Sequence, residues 1–296
     1  VQASYFQHLV ETAGGACDYL AVANDIIADF ILSLQNEDGG FRGRAAESDL
    51  YYTAFALDCL AVTRGDIQED RVLPFLEHEA GKDHDLIHTV SLVRCMKRLQ
   101  KTDIVKKYRD KLYRQIEQYH ITGAGYSPSL PRESGTPYGC YLAVTALSEL
   151  DLPLPPGDEI AACLEDTRAD EAAYGNEPGM EEGTVTAVAA TLVLQLLMKL
   201  PVDERVFVWL IQQYDTRGGF LASPRTPVPD LLSTAVALYT LKAAGISLDK
   251  IRKSCLEFVE GLWDERGGFC GSWKDDTPDC EYTFYGLLAL GCLATA

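Results

Sequence analysis

Residues 32–65, 211–245 and 259–294 repeat one template. Each starts with a helix-like run, passes through Gly-Gly-Phe and a short polar loop, and ends in Asp-x-x-x-Thr followed by a strongly apolar run. Against this template three weaker copies come into register. Asp85 and Thr89 carry the anchor without a preceding Gly-Gly-Phe, and Glu182 and Thr186 carry it in residues 173–190. In residues 124–147, Tyr126 stands for the Phe, and Tyr138 and Leu142 stand for the Asp and Thr. The anchors therefore fall at 49, 85, 138, 182, 230 and 279, between 36 and 53 residues apart. A unit of that length with two helical runs cannot bury its apolar faces alone, so the units must stack.

The two runs of a unit differ in kind. In 250–265, Ile251, Cys255, Phe258, Val259 and Leu262 share one helical face. The second run, as in "TAVALYTLKAAG", is apolar nearly all round, and such a helix is buried on every side. Amphipathic helices outside and apolar helices inside satisfy both patterns. Small residues such as Ala54, Ala143, Ala187, Ala235 and Gly286 let inner neighbours approach closely. The sixth unit keeps its apolar pattern throughout, without the polar outer face that ends an open array. The expected fold is all-α, an α/α toroid: a closed barrel of about six helical hairpins over 26–296, after an N-terminal segment of residues 1–25.

Local chemistry explains the template. The glycines end the outer helix and turn the chain back, and Phe41, Phe220 and Phe269 plug between helices. Asp49, Asp85, Glu182, Asp230 and Asp279 stand where a helix N-cap belongs.

Composition narrows the partners. The chain has 296 residues, enough for a large core. Its formal net charge of −18 repels phosphate backbones, so no nucleic-acid partner is expected. Nine cysteines are scattered among apolar residues with no CxxC pair, which reads as reduced buried thiols and a cytoplasmic protein. The start has no basic and apolar leader pattern. The longest apolar stretch, 184–198, is too short and too polar for a membrane span.

The Gly-Gly-Phe loops, the "PDxxxT" anchors and the apolar second runs resemble the prenyltransferase and squalene-cyclase repeat family over residues 26–296. That resemblance implies the α/α toroid of protein prenyltransferase β-subunits and of class II terpenoid cyclases. It also implies sites that can be checked. The β-subunits would hold zinc with an Asp-x-Cys at the fifth anchor and a His three residues past the sixth. Here those positions read Asp230-Leu231-Leu232 and Tyr282, so no zinc cofactor and no metal ligands are expected. The family's diphosphate pocket would place a His at the fourth anchor and an Arg and a Lys before the fifth. This chain has Glu182 and "SPRTPVPD", in which Arg225 is one position off and Pro227 replaces the Lys. Class II cyclases would show Asp-x-Asp-Asp-Thr, which does not occur.

Relative to the anchor Thr, the cyclase acid lies two residues earlier. The six units offer Tyr51, Ile87, Cys140, Thr184, Leu232 and Glu281 there. Only Glu281 carries a carboxyl group. In an apolar, aromatic cavity its pKa should rise, fitting it to act as an acid. Alternatively it is simply a carboxylate favoured in the first turn of a helix. The candidate catalytic residues are Glu281, His88 and Tyr282; the candidate substrate-binding residues are Tyr51, Tyr52, Tyr141, Asp230 and Arg225. His88 is weighed as a cavity-facing proton carrier or a surface histidine. By its family the chain leans towards a prenyltransferase- or cyclase-like enzyme. The reading is a diverged member that binds an isoprenoid-like or other apolar small molecule in a central cavity and transforms it. Two alternatives stand beside it: a non-catalytic toroid that docks a helical partner subunit, and a prenyltransferase with a different metal site or with residues supplied by a partner.

Overall fold

The computed structural model describes residues 4–170 and 172–294, so residues 1–3 of the expected N-terminal segment lie outside the described residues. Two short helices come first, α1 (Tyr5–Gly14) and α2 (Ala16–Leu20). Six helix pairs follow, each an outer helix and then an inner one. They are α3 (Ala23–Ser33) with α4 (Leu50–Thr63), α5 (Glu69–Ala80) with α6 (Leu86–Arg98), and α7 (Thr102–Glu117) with α8 (Pro137–Glu149). The second half holds α9 (Gly157–Asp166) with α10 (Val185–Met198), α11 (Arg205–Gln212) with α12 (Leu231–Ala243), and α13 (Arg252–Glu260) with α14 (Cys280–Leu293). The sole sheet among the described residues is a two-residue ribbon pairing His120–Ile121 with Gly125–Tyr126.

The inner helices pack in sequence, α4 on α6, α6 on α8 and onward to α14, and α14 packs back on α4. The ring is therefore closed. At the junction Phe55 of α4 meets Phe284 and Tyr285 of α14 at ring-centroid distances of 5.7 and 5.6 Å. Arg44, before α4, reaches Asp275 and Asp279, before α14, at 2.5 and 3.1 Å. The outer layer closes as well. A Cβ on Gly39 would lie 1.9 Å from the Arg71 carbonyl of α5, and one on Gly218 would lie 2.2 Å from that of Ser254 in α13. In the sixth unit the corresponding Gly267 presses on Ile26 of α3, the outer helix of the first. These glycines also take positive φ, so both conformation and close approach demand them.

The Asp-x-x-x-Thr anchor works as a two-way clamp. Asp49, Asp85, Asp230 and Asp279 each cap an inner helix, accepting backbone N–H bonds one turn on. The Thr hydroxyl donates to the carbonyl of the capping residue at 2.7, 2.7 and 2.6 Å for Thr53, Thr89 and Thr234. In the three Gly-Gly-Phe units it also accepts the buried N–H of Phe41, Phe220 or Phe269. The Phe rings are fully buried, as a plug requires.

Two anchors differ from the sequence reading. The cap of α8 is Thr136, not Tyr138, and that of α10 is Thr184, not Glu182. Thr136 Oγ1 accepts from Gly139 at 3.0 Å, and Thr184 Oγ1 accepts from Ala187 at 3.2 Å. Threonine caps nearly as well as Asp, and Pro137 suits the first helical position after it.

Candidate functional site

Correcting those two anchors brings the interior into register. Two residues past each cap stand Tyr51, Ile87, Tyr138, Thr186, Leu232 and Glu281, and all six line one central cavity. Six past each cap stand Phe55, Ser91, Leu142, Ala190, Val236 and Tyr285, and all six line it too. Arg94, Val193, Tyr239 and Leu288, nine past their caps, form the third level. Spacings of four and three residues keep one helical face turned inward. The cavity has a volume of about 490 Å³. Tyr5, Phe6 and Leu9 of α1 close it beside the third level, and Pro128, Asn176 and Glu177 lie on loops at the first.

Glu281 is the only carboxyl group of the first ring. The Tyr51 hydroxyl donates to its Oε1 at 2.6 Å. Burial raises its carboxyl pKa above the ordinary value, against the lowering effect of the Tyr51 bond. Burial also pushes the Tyr51 hydroxyl far above the usual phenol range, so it serves as a donor. The N-terminus of α14 favours the ionised carboxylate and opposes the rise at Glu281.

The third level holds a buried charge cluster. Asp58 is fully buried. Its Oδ2 accepts from Arg94 Nε at 2.5 Å and its Oδ1 from Arg98 Nε at 2.6 Å. Arg98 also reaches the Phe6 carbonyl of α1 at 3.4 Å. The Arg94 guanidinium lies over Phe55 at 4.5 Å and over Phe6 and Phe284 at 5.2 Å.

Of the residues singled out by sequence, the cavity gathers Glu281, Tyr51 and Tyr141. The other five lie elsewhere. His88 bonds Asp85 at 2.8 Å and Asp49 at 3.2 Å. Its ring is one residue past Ile87, so it turns to the rim between helices and away from the cavity. The Tyr282 ring lies under the Arg44 guanidinium and beside Gly271. Tyr52 packs over Gly43. The Asp230 carboxylate is occupied by the backbone and hydroxyl of Ser233, both at 2.8 Å. Arg225 is exposed and pairs with Glu182. Two positions named as candidate acid sites also shift: Cys140 is buried behind α8 against Cys163, and Thr184 is a cap.

The zinc implied by prenyltransferase β-subunits does not fit these residues. Asp230 is committed to its cap, and Leu232 and Tyr282 offer no ligand equivalent to Cys or His. No group of three or more His, Cys, Asp or Glu able to hold a metal occurs among the described residues. Nor does a diphosphate fit: among the described residues Arg94 is the one basic residue lining the cavity, and Arg225 pairs with Glu182 outside that lining.

Sequence reasoning missed Asp58, Arg94, Tyr138 and Tyr285. The signal for the first two was present, since a lone acid in "FALDCLAV" and a lone base in "SLVRCM" interrupt buried helices.

No helix among the described residues is long and apolar enough to cross a membrane. No curated protein matches the sequence. Among solved structures, the chain is similar to a protein from Actinoplanes, with a TM-score of 0.66 and 13% identity over 93% of this chain and 99% of that one. It is also similar to type II terpene cyclase MstE from Scytonema. A variant bound to geranylgeranyl dihydroxybenzoate gives a TM-score of 0.66 at 11% identity, covering 94% of this chain and 97% of that one. The ligand-free enzyme gives 0.63 at 12%, covering 94% and 98%. At such identities the likeness concerns the fold alone. The prenyltransferase alpha-alpha toroid domain family matches residues 15–200 and 187–295, and the chain belongs to that family.

Proposed function

We propose that this toroid binds a linear, isoprenoid-like molecule in its central cavity and protonates it from Glu281. The observation that carries the reading is the single carboxyl group in the first ring, held by the Tyr51 hydroxyl among aromatic side chains. A carboxyl group whose pKa burial raises holds its proton more readily, and in its neutral form it can deliver that proton to an alkene. Loss of a proton from the resulting cation back to the carboxylate balances the step as an isomerisation or cyclisation. The Tyr138 and Tyr285 rings face that region and suit a developing cation. A volume of 490 Å³ falls within the range of small-molecule sites, about 300–1,000 Å³. The test is incubation of the purified chain with farnesol and, separately, with farnesoic acid in deuterated buffer, and mass analysis of the products. An isomerised or cyclised product carrying deuterium, lost in Glu281→Gln, supports the reading; no turnover of either compound, or turnover that survives in Glu281→Gln, rejects Glu281 as the acid.

A second reading, docking of a helical partner, rests on a different observation. Val208 and Ile211 share one face of α11 and are 58% and 45% exposed, and Leu196 at the end of α10 is 71% exposed. Co-purification of a stoichiometric helical partner, released by Val208→Glu, would support it, and its absence from the purified protein would count against it.

A further inference from the structure

The third level of the cavity has an electrostatic imbalance. Asp58 brings one negative charge and Arg94 and Arg98 bring two positive ones. Formally the cluster is left with one uncompensated positive charge beside an apolar cavity, a costly arrangement unless something answers it. The geometry shows where the charge is free. Arg94 Nε and Nη2 both lie 2.5 Å from the same Asp58 oxygen. Only the Nε–H is well directed; Nη2 is sealed against Asp58 and closed to the cavity. Of the guanidinium's donors, those of Nη1 make no hydrogen bond to any described residue, and Arg94 lines the cavity. Arg98, by contrast, is tied to Asp58 and to the Phe6 carbonyl. The rings of Phe6, Phe55 and Phe284 surround the Arg94 cation but accept no conventional hydrogen bond.

We propose that Arg94 is an anion-recognising subsite, and that the molecule held in the cavity is an apolar chain ending in a single carboxylate, which seats against Nη1 of this guanidinium. The inference rests on the reading of the cavity as a ligand site, and it names the ligand class. A carboxylate oxygen accepts from Nη1 and brings the one charge that is missing. A diphosphate brings more charge than one guanidinium can answer. The placement also orients the chain. Arg94 stands seven residues deeper along its helix than the first ring, about 10 Å at ~1.5 Å per residue. With the carboxylate at the closed end, the far end of the chain lies beside Glu281.

The experiment is calorimetric titration of the intact chain with farnesoic acid, farnesol and methyl farnesoate at neutral pH, where the acid is ionised. A charge-assisted hydrogen bond in a buried site predicts that the acid binds about tenfold to a hundredfold tighter than the alcohol or the ester. In Arg94→Met, which leaves Asp58 paired one to one with Arg98, that preference is lost. Equal binding of acid, alcohol and ester to the unaltered chain overturns the inference while leaving the cavity reading intact. So does a preference for the acid that survives Arg94→Met. Failure of all three to bind overturns both. Should Arg94→Met not fold, the comparison on the unaltered chain still decides.

Discussion

Closure of the outer ring can be tested at one atom. Gly267 takes φ +104° and lies on Ile26, where an added Cβ would stand 2.7 Å from the Ile26 carbonyl oxygen and 3.0 Å from the Phe30 Cβ. Gly267→Ala therefore carries two costs. The left-handed conformation costs about 1–2 kcal/mol for an L residue. The wedge between the sixth loop and α3 adds about 1–3 kcal/mol, because backbone and a packed ring must give way. A stiffer unfolded chain offsets about 0.4–1 kcal/mol, leaving a loss of roughly 2–4 kcal/mol. Gly245→Ala separates the two costs. Gly245 has φ +72° but no atom within 4 Å of an added Cβ, so only the conformational cost remains, about 1 kcal/mol. Urea denaturation at constant m-value measures both. We expect Gly267→Ala to be less stable than Gly245→Ala by at least ~1 kcal/mol. Equal midpoints would refute the reasoning, because the sixth loop would then not bear on the first unit.

Three further outcomes follow from other contacts. Thr234→Val leaves the buried Phe220 N–H without its acceptor at 2.9 Å; we expect a loss of about 1–3 kcal/mol in urea, largely recovered by Thr234→Ser. The hydrogen bond that the His88 ring donates to Asp49, with help from Asp85, raises the His88 pKa to about 9. Stability from its charge is then fully present below the unfolded value near 6.5 and lost as pH rises towards 9. A His88→Gln variant should show a flatter melting profile over that window, and an unchanged profile would count against the His88–Asp49 contact. Glu281 also has a raised pKa, so its neutral form favours folding at low pH and its ionisation costs stability as pH rises. Glu281→Gln should therefore melt above the unaltered chain at pH 7, with the gap closing below pH ~4.

The fold was legible because its repeating parts are local. Gly-Gly-Phe, the Asp caps and their Thr partners each solve a problem within one unit, so three good copies disclosed six. What failed was register. Placing the third and fourth anchors on Tyr138 and Glu182 instead of Thr136 and Thr184 is an error of two residues. In a helix of 3.6 residues per turn that is about 200° of rotation. It exchanged Tyr138, which faces the cavity, for Cys140, which faces the outer layer. His88 is a different case: its anchor, Asp85, was placed correctly, but one residue past Ile87 is about 100° round the helix. The closing of the cavity by α1 was not readable, since no unit of the repeat contains it.

The division of labour between anchor and ring explains why the family is plain and the chemistry is not. Every anchor carboxylate is spent on a cap: Asp49 on Tyr51 and Tyr52, Asp230 on Ser233, Asp279 on Tyr282 and Arg44. Those residues recur because each inner helix needs its N–H groups satisfied, and they are unavailable to a ligand. The positions two, six and nine residues on carry no such duty. At two and six residues on, all six helices turn a side chain to the cavity; at nine, four of them do, and these positions can change without disturbing a cap or a plug. A repeat that fixes the anchors therefore says nothing about the rings. In this chain the rings place a carboxyl group at one level and an arginine about 10 Å deeper, with apolar and aromatic side chains between. That arrangement matches the proposed ligand, whose anionic end would answer Arg94 while its apolar body lies along the axis towards Glu281.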